Sequence, residues 1–198
     1  MLKKDELRTL KLLFDDLSKN LTISDISRIL KRGYYQTHQS VSSLAKKGDI
    51  ILEKTGNSKI AKPNLIMPNT NQVLAELERA NDICTNTTLN IIREKVKRIN
   101  KNFICILFGS QVKKPNEKSD IDLLFIIPDD CNYGKFEALA KNQLVAYNCD
   151  INITSEKGML EMWSTPQKFN VGNEVLKKHI VLYSAEHFLN LLRRHYVG

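Results

Sequence analysis

No stretch of the 198 residues approaches the ~20 consecutive apolar residues that a membrane-spanning helix needs. The opening MLKKDELRTL has no apolar signal-peptide core, so the expectation is a cytoplasmic protein. Cysteine is scarce: Cys84, Cys105, Cys131 and Cys149 show no Cys-x-x-Cys spacing. That argues against a zinc ribbon or a redox dithiol, and the four read as reduced thiols. The four histidines, at 38, 179, 187 and 195, are scattered without metal-ligand spacing. Neither Gly-x-Ser-x-Gly nor Gly-x-x-x-x-Gly-Lys occurs, which removes the usual nucleophile elbow and P-loop. There are no repeats and no low-complexity segments. With 42% hydrophobic and 26% charged residues, the composition is that of a globular chain long enough for one large or two small units.

The net charge of +8 is unevenly spread. Residues 1–64 carry thirteen Lys/Arg against seven Asp/Glu, a net of +6, whereas 65–100 and 101–198 each carry +1. A basic excess confined to one end is the electrostatic footprint expected of a nucleic-acid partner there.

The most informative stretch is Gly109 to Asp122, GSQVKKPNEKSDID. It is bracketed by two apolar runs, Phe103 to Phe108 and Leu123 to Ile127. Both are short and bounded by turn residues, which predicts buried strands. Residues i and i+2 of a strand share a face, so Asp120 and Asp122 are expected to project together, about 6.6 Å apart. Two carboxylates at about 4 Å in a medium of effective dielectric near 20 repel by ~4 kcal/mol. Such a pair calls for a cation or for protonation of one partner. An all-oxygen set suits Mg²⁺ or Mn²⁺. Gly109 allows close backbone approach, and a helix starting at Ser110 would offer free N–H groups to a phosphate. Further on, Val145 to Thr154 alternates with period two, predicting a strand with Asp150 on its polar face.

This pattern resembles the minimal branch of the polymerase-β-like nucleotidyltransferases. Their signature is Gly-Ser, a spacer of about ten residues, Asp-x-Asp before apolar residues, and a third carboxylate on a later strand. Here these are Gly109-Ser110, the spacer 111–119, Asp120-Ile121-Asp122-Leu123-Leu124, and Asp150. The resemblance implies that Asp120, Asp122 and Asp150 hold Mg²⁺ or Mn²⁺ and are catalytic, and that Gly109 and Ser110 hold the triphosphate. Many relatives have an Arg and a Gly soon after the Gly-Ser pair. This chain has Gln111-Val112-Lys113-Lys114-Pro115 instead, which assigns the triphosphate contact to Lys113 or Lys114.

Towards the N-terminus, Leu7, Leu10, Phe14 and Leu17 recur at helical spacing. Ser24 is placed to cap a second helix with Ile26, Ile29 and Leu30. A third, about 35–47, would bury Val41, Leu44 and Ala45. Residues 50–53 and 59–62 then flank Thr55-Gly56-Asn57-Ser58 as a hairpin. Three helices and a hairpin over residues 5–64 resemble a winged helix-turn-helix. That implies duplex DNA contacts by Gln36, Thr37, Gln39, Ser40, Ser43, Lys46 and Lys47, with Lys59 on the wing.

Helices are expected from about Thr70, after Thr87, around 135–144 and from Ala185, with a further strand at Ile180 to Tyr183. The expected fold class is therefore α/β (α+β). A winged helix-turn-helix (1–66) and a connecting helix (67–85) precede a small mixed-sheet nucleotidyltransferase domain (86–198). The expected reaction moves a nucleoside monophosphate from a nucleoside triphosphate to a hydroxyl of a protein or RNA, releasing pyrophosphate. A DNA-binding regulator using the second domain as nucleotide sensor or partner module is the alternative. A purely structural interaction module is a third reading. The apolar seam Leu89, Ile92, Val96, Ile99 would serve sheet packing or a homodimer; no membrane partner is expected.

Overall fold

A computed structural model describes residues 2–99, 101–113 and 119–197. The fold is mixed α+β, with ten helices and two sheets among the described residues. The N-terminal part holds α1 (Lys4–Asp15), β1 (Leu21–Thr22), α2 (Ile23–Ile29) and α3 (Tyr34–Lys46). A hairpin of β2 (Ile50–Thr55) and β3 (Ser58–Pro63) follows, and β1 adds to it in the antiparallel order β1-β3-β2. The cap of α2 is Thr22, not Ser24. Its hydroxyl accepts from the Asp25 N–H, and the Asp25 carboxylate returns to the Thr22 N–H, both at 3.1 Å, satisfying two otherwise orphan donors. Gly56 adopts φ +59° at the hairpin turn, a conformation L-residues avoid.

Helix α4 (Thr70–Ile83) links the halves. Buried Asp49, just before β2, accepts from the Asn69 and Asn71 amides at 2.8 and 3.0 Å and so ties the hairpin to the start of α4. Helix α5 (Thr87–Lys97) precedes the second sheet, built of β4 (Ile104–Leu107), β5 (Ile121–Ile127), β6 (Cys149–Ser155) and β7 (Ile180–Tyr183). Its order is β6-β5-β4-β7, antiparallel except for β5–β6. Parallel neighbours need a crossover, and α7 (Tyr133–Leu144) supplies it. Short α6 (Ser110–Lys113) follows β4. Helices α8 (Glu156–Trp163), α9 (Val171–Lys177) and α10 (Ala185–Val197) complete the chain.

The sheet is apolar on both faces, as its central strands require. Cys105, Leu107, Leu123 and Phe125 pack with Ile92, Val96 and Phe136 from α5 and α7. Ile106, Leu124 and Ile126 belong to a cluster with Met159, Trp163 and Phe188, and that cluster runs on into Leu10, Phe14, Ile26 and Leu44. The N-terminal helices and one face of the second sheet thus share a single apolar core. The expected strand from Val145 begins only at Cys149, because Val145 caps α7 and is 80% exposed. Its period-two pattern there is coincidental.

Glu6 is one of the charged residues buried in the fold. Glu6 is only 2% exposed and accepts from Ser43 Oγ (2.6 Å), Lys47 Nζ (2.7 Å) and the Lys3 N–H (2.7 Å). Burial would raise its pKa, but Lys47, Ser43 and the Lys3 N–H outweigh it and hold the carboxyl at about 2. The folded pKa lies below the ordinary 4.5, so the stability it contributes is present above pH 4.5 and lost as pH falls towards 2. Glu6→Gln should cost on the order of 1–3 kcal/mol at neutral pH. The gap from wild type should close between pH 4.5 and 2. Thermal unfolding across that window checks it, and a gap independent of pH would contradict the assignment.

Candidate active site

The local geometry starts from strand register. Asp122 is the second residue of β5 and Asp150 the second of β6, and the parallel register sets them side by side. Pairing of β4 with β5 continues through the Phe108 N–H to the Asp122 carbonyl at 3.1 Å. The next residue, Gly109, turns the chain with φ +72°, and a Cβ there would stand 2.0 Å from Asp122 Oδ2. Only glycine fits, for two separate reasons: the left-handed backbone and the carboxylate lying against it. The Ser110 N–H, opening α6, donates to that same carboxylate. Asp120 lies just before the strand and accepts from the Asn148 amide, while Asp150 Oδ2 accepts from Asn152 Nδ2 at 3.1 Å. Gln111, buried behind the turn, donates to Ser119 O and Oγ at 2.9 and 2.8 Å.

The site is electrostatically crowded. Burial raises the Asp122 pKa, and the charges of Asp150, Asp120 and Glu174 raise it further against the opposing Ser110 N–H. Glu174, in the first turn of α9, is a fourth carboxylate that sequence reasoning missed. No period or motif marks it, since only the packing of α9 brings its charge to bear on Asp122. Among the described residues, no three His, Cys, Asp or Glu side chains already converge into a metal cage. The donor set nevertheless fits a hard divalent cation: the neighbouring carboxylates raise the cost of charging Asp122, and such a cation would relieve it. A cavity of about 250 Å³ adjoins the site, lined by Asn86, Thr88, Gln111, Ser119, Tyr147 and Asn148 among others.

The structure therefore brings Gly109, Ser110, Asp122 and Asp150 together, with Asp120 at the rim. Of the expected triphosphate lysines, Lys113 ends α6 with its side chain outside the described residues, and Lys114 lies wholly outside them. Gly109→Ala should cut any activity at least about tenfold, because the methyl must displace the Asp122 carboxylate. Strain from the positive φ adds about 1 kcal/mol or more of destabilisation. Steady-state rates and thermal unfolding of this variant check both effects.

On the N-terminal surface, Gln36, Gln39, Lys46 and Lys59 are exposed and Ser40 is half-buried. Three expected contact residues have partners within the fold, although Lys47 is exposed. Thr37 is buried with its hydroxyl on Gly33 O, and Ser43 and Lys47 hold Glu6. Read from sequence, Ser43 and Lys47 fall on the DNA-facing side without an internal partner. Instead, Arg28, Lys31, Tyr34, Tyr35 and His38 make up the exposed surface around the α2–α3 turn. No helix among the described residues is long and apolar enough to cross a membrane. No family model matches the chain, and neither a curated protein nor a solved structure does.

Proposed function

We propose that the chain is a metal-dependent nucleotidyltransferase, similar to the minimal polymerase-β-like enzymes, behind an N-terminal winged helix-turn-helix. The observation that carries this reading is the register of β5 against β6. It sets Asp122 beside Asp150, and Asp122 in turn lies against the Gly109-Ser110 turn. Asp120, Asp122 and Asp150 would hold Mg²⁺ or Mn²⁺, which supplies charge neutralisation for the triphosphate and acidifies the acceptor hydroxyl. Gly109 lets the Asp122 carboxylate lie against the turn, and the Ser110 hydroxyl would meet the phosphates. Asp150, exposed on its strand, takes the proton as the acceptor oxygen bonds to the α-phosphorus and the bond to pyrophosphate breaks. The winged-helix likeness, with exposed Gln36 and Gln39 on α3, supports a second reading as a duplex-DNA-binding regulator. Pyrophosphate release from ATP, GTP, CTP and UTP, with and without Mg²⁺, separates the two. Release that depends on the metal supports the enzyme, and none from any nucleotide under any acceptor leaves the regulator.

A further inference from the structure

The second sheet has two edges, and the fold treats them differently. Along β7, α4 packs against the strand, Arg93 Nε donates to the Leu182 carbonyl at 3.3 Å, and Arg79 Nη2 donates to the His179 carbonyl at 2.6 Å just before it. A helix and two arginines thus blunt that edge. The β6 edge has no such cover. The Ile121 N–H donates to the Asn148 carbonyl at 3.0 Å, and the register pairs Ile121 with Cys149. A parallel ladder continued from there turns the backbone groups of Asp150, Asn152 and Thr154 towards β5 and those of Ile151 and Ile153 off the edge. Among the described residues, only the exposed Tyr133 reaches those outward groups, its hydroxyl 3.5 Å from the Ile153 carbonyl. Residues 149–155, CDINITS, hold no lysine, proline or glycine, and no bulge interrupts their pairing with β5, so the devices that keep an edge strand single are missing. Cys149, Ile151 and Ile153 lean on the α5–α7 side of the core but stay only half-buried.

We infer that β6 pairs with β6 of a second copy of this chain, antiparallel about a twofold axis at Asn152, joining two four-stranded sheets into one. Closed twofold dimers are the commonest assembly of identical chains. Outward-facing residues must meet outward-facing ones, and centring on Asn152 achieves this over the whole of 149–155. Ile151 and Ile153 of one copy then exchange N–H···O=C bonds with Ile153 and Ile151 of the other, and their branched side chains meet on the apolar face. On the opposite face Asp150 meets Thr154 of the other copy. The backbone groups of both face their own β5, so this is the closer kind of cross-strand pair, and the Thr154 hydroxyl donates to the carboxylate set beside Asp122. Each candidate site thus takes a residue from the other copy. A shift centred on Asp150 would instead set two carboxylates opposite each other. Residues 101–198 carry a net of only +1, so the halves that meet repel little. The pairing needs only the open edge and holds whether or not the chain transfers nucleotides.

The test uses the full chain. Light scattering at micromolar concentrations should give twice the 22.7 kDa of one chain. Ile151→Pro removes an N–H that β5 does not use, and should weaken association at least about tenfold while the circular dichroism of the fold is kept. Should that variant fail to fold, a cross-link decides. Asn152→Cys sets two thiols across the axis with Cα atoms about 4.5 Å apart, within disulfide reach, so mild oxidation should give a covalent dimer. Thr154→Cys puts its two thiols out of step by about 13 Å, and should cross-link no more than the unaltered chain. A chain that stays single at every concentration overturns the pairing and leaves the edge to a strand of another protein. A dimer that survives in folded Ile151→Pro, or that cross-links through residue 154 as readily as through 152, has its interface or its register elsewhere and overturns the pairing too.

Discussion

Asp122→Asn should abolish nucleotidyl transfer, by at least about 10²–10³-fold, while the folded protein keeps or gains stability in the absence of metal. The activity loss follows from position, since Asp122 is the carboxylate set beside Asp150 by register and against the Gly109-Ser110 turn by contact. The stability effect follows from electrostatics. Burial and three neighbouring carboxylates raise its pKa, so the folded state favours the protonated form. A raised carboxyl pKa means that its contribution to stability falls as pH rises through the ordinary carboxylate range, leaving a cost at neutral pH. An asparagine carries no charge, can still accept from the Ser110 N–H, and presents an amide to Asp150. Asp150→Asn should lose activity to a similar degree with a smaller stability change, because that side chain is exposed. Calorimetric melting in chelator, paired with the pyrophosphate assay, decides the matter. Wild-type turnover in either variant would remove the metal site from these residues, and a large drop in melting temperature for Asp122→Asn would make that carboxylate a structural anchor.

The parts of this molecule that were legible in sequence are those governed by local pattern. Ile104–Leu107 and Ile121–Ile127 fall in the short apolar runs between turn residues, and both are strands. Asp122 and Asp150 could be placed because each sits at a countable position in such a run. What stayed hidden is what only tertiary packing decides. Glu6 reads as a solvated charge on a helix, yet α3 folds over it and claims Ser43 and Lys47. Glu174 bears on Asp122 only because α9 packs across the sheet. Val145 mimics the alternation of the strand that follows, but the crossover helix extends to Leu144 and takes Val145 as its cap. Tyr34 and Tyr35 gave no periodic signal as surface residues, since two adjacent tyrosines at a helix start suit a core as well as an interface.

Arg79→Leu should destabilise the protein by about 3–5 kcal/mol, the largest stability effect of any change argued here, because it strands a buried charge. Arg79 is 4% exposed and Glu76, one turn before it on α4, is fully buried. Arg79 Nη1 donates to Glu76 Oε1 at 2.6 Å, and Nη2 donates to the His179 carbonyl at 2.6 Å. His179 is itself buried, with Nδ1 2.7 Å from the Val175 carbonyl of α9, and Asp15 at the end of α1 lies 3.7 Å from the guanidinium. One side chain therefore joins α1, α4 and the approach to β7. Burial would push the Glu76 pKa up, but Arg79 and His179 hold it below the ordinary value, so the folded state keeps the carboxylate charged. Without Arg79, Glu76 keeps only His179, whose Nε2 lies 3.5 Å from its Oε1, and its Oε2 has no hydrogen-bond partner, so the buried carboxylate loses its main compensation. Glu76→Leu together with Arg79→Leu removes both charges and should recover a large part of the loss, since an apolar pair of similar volume suits a buried site. The double-mutant cycle, read by denaturant unfolding, should yield a coupling of at least about 1–3 kcal/mol. Additive losses would mean that Arg79 acts through the His179 carbonyl and Asp15 alone. Because α9 also carries Glu174, Arg79→Leu should in addition lower any transfer activity at temperatures where the variant is still folded, whereas a lysine at this position, keeping charge but not the two-pronged geometry, should fall between the two.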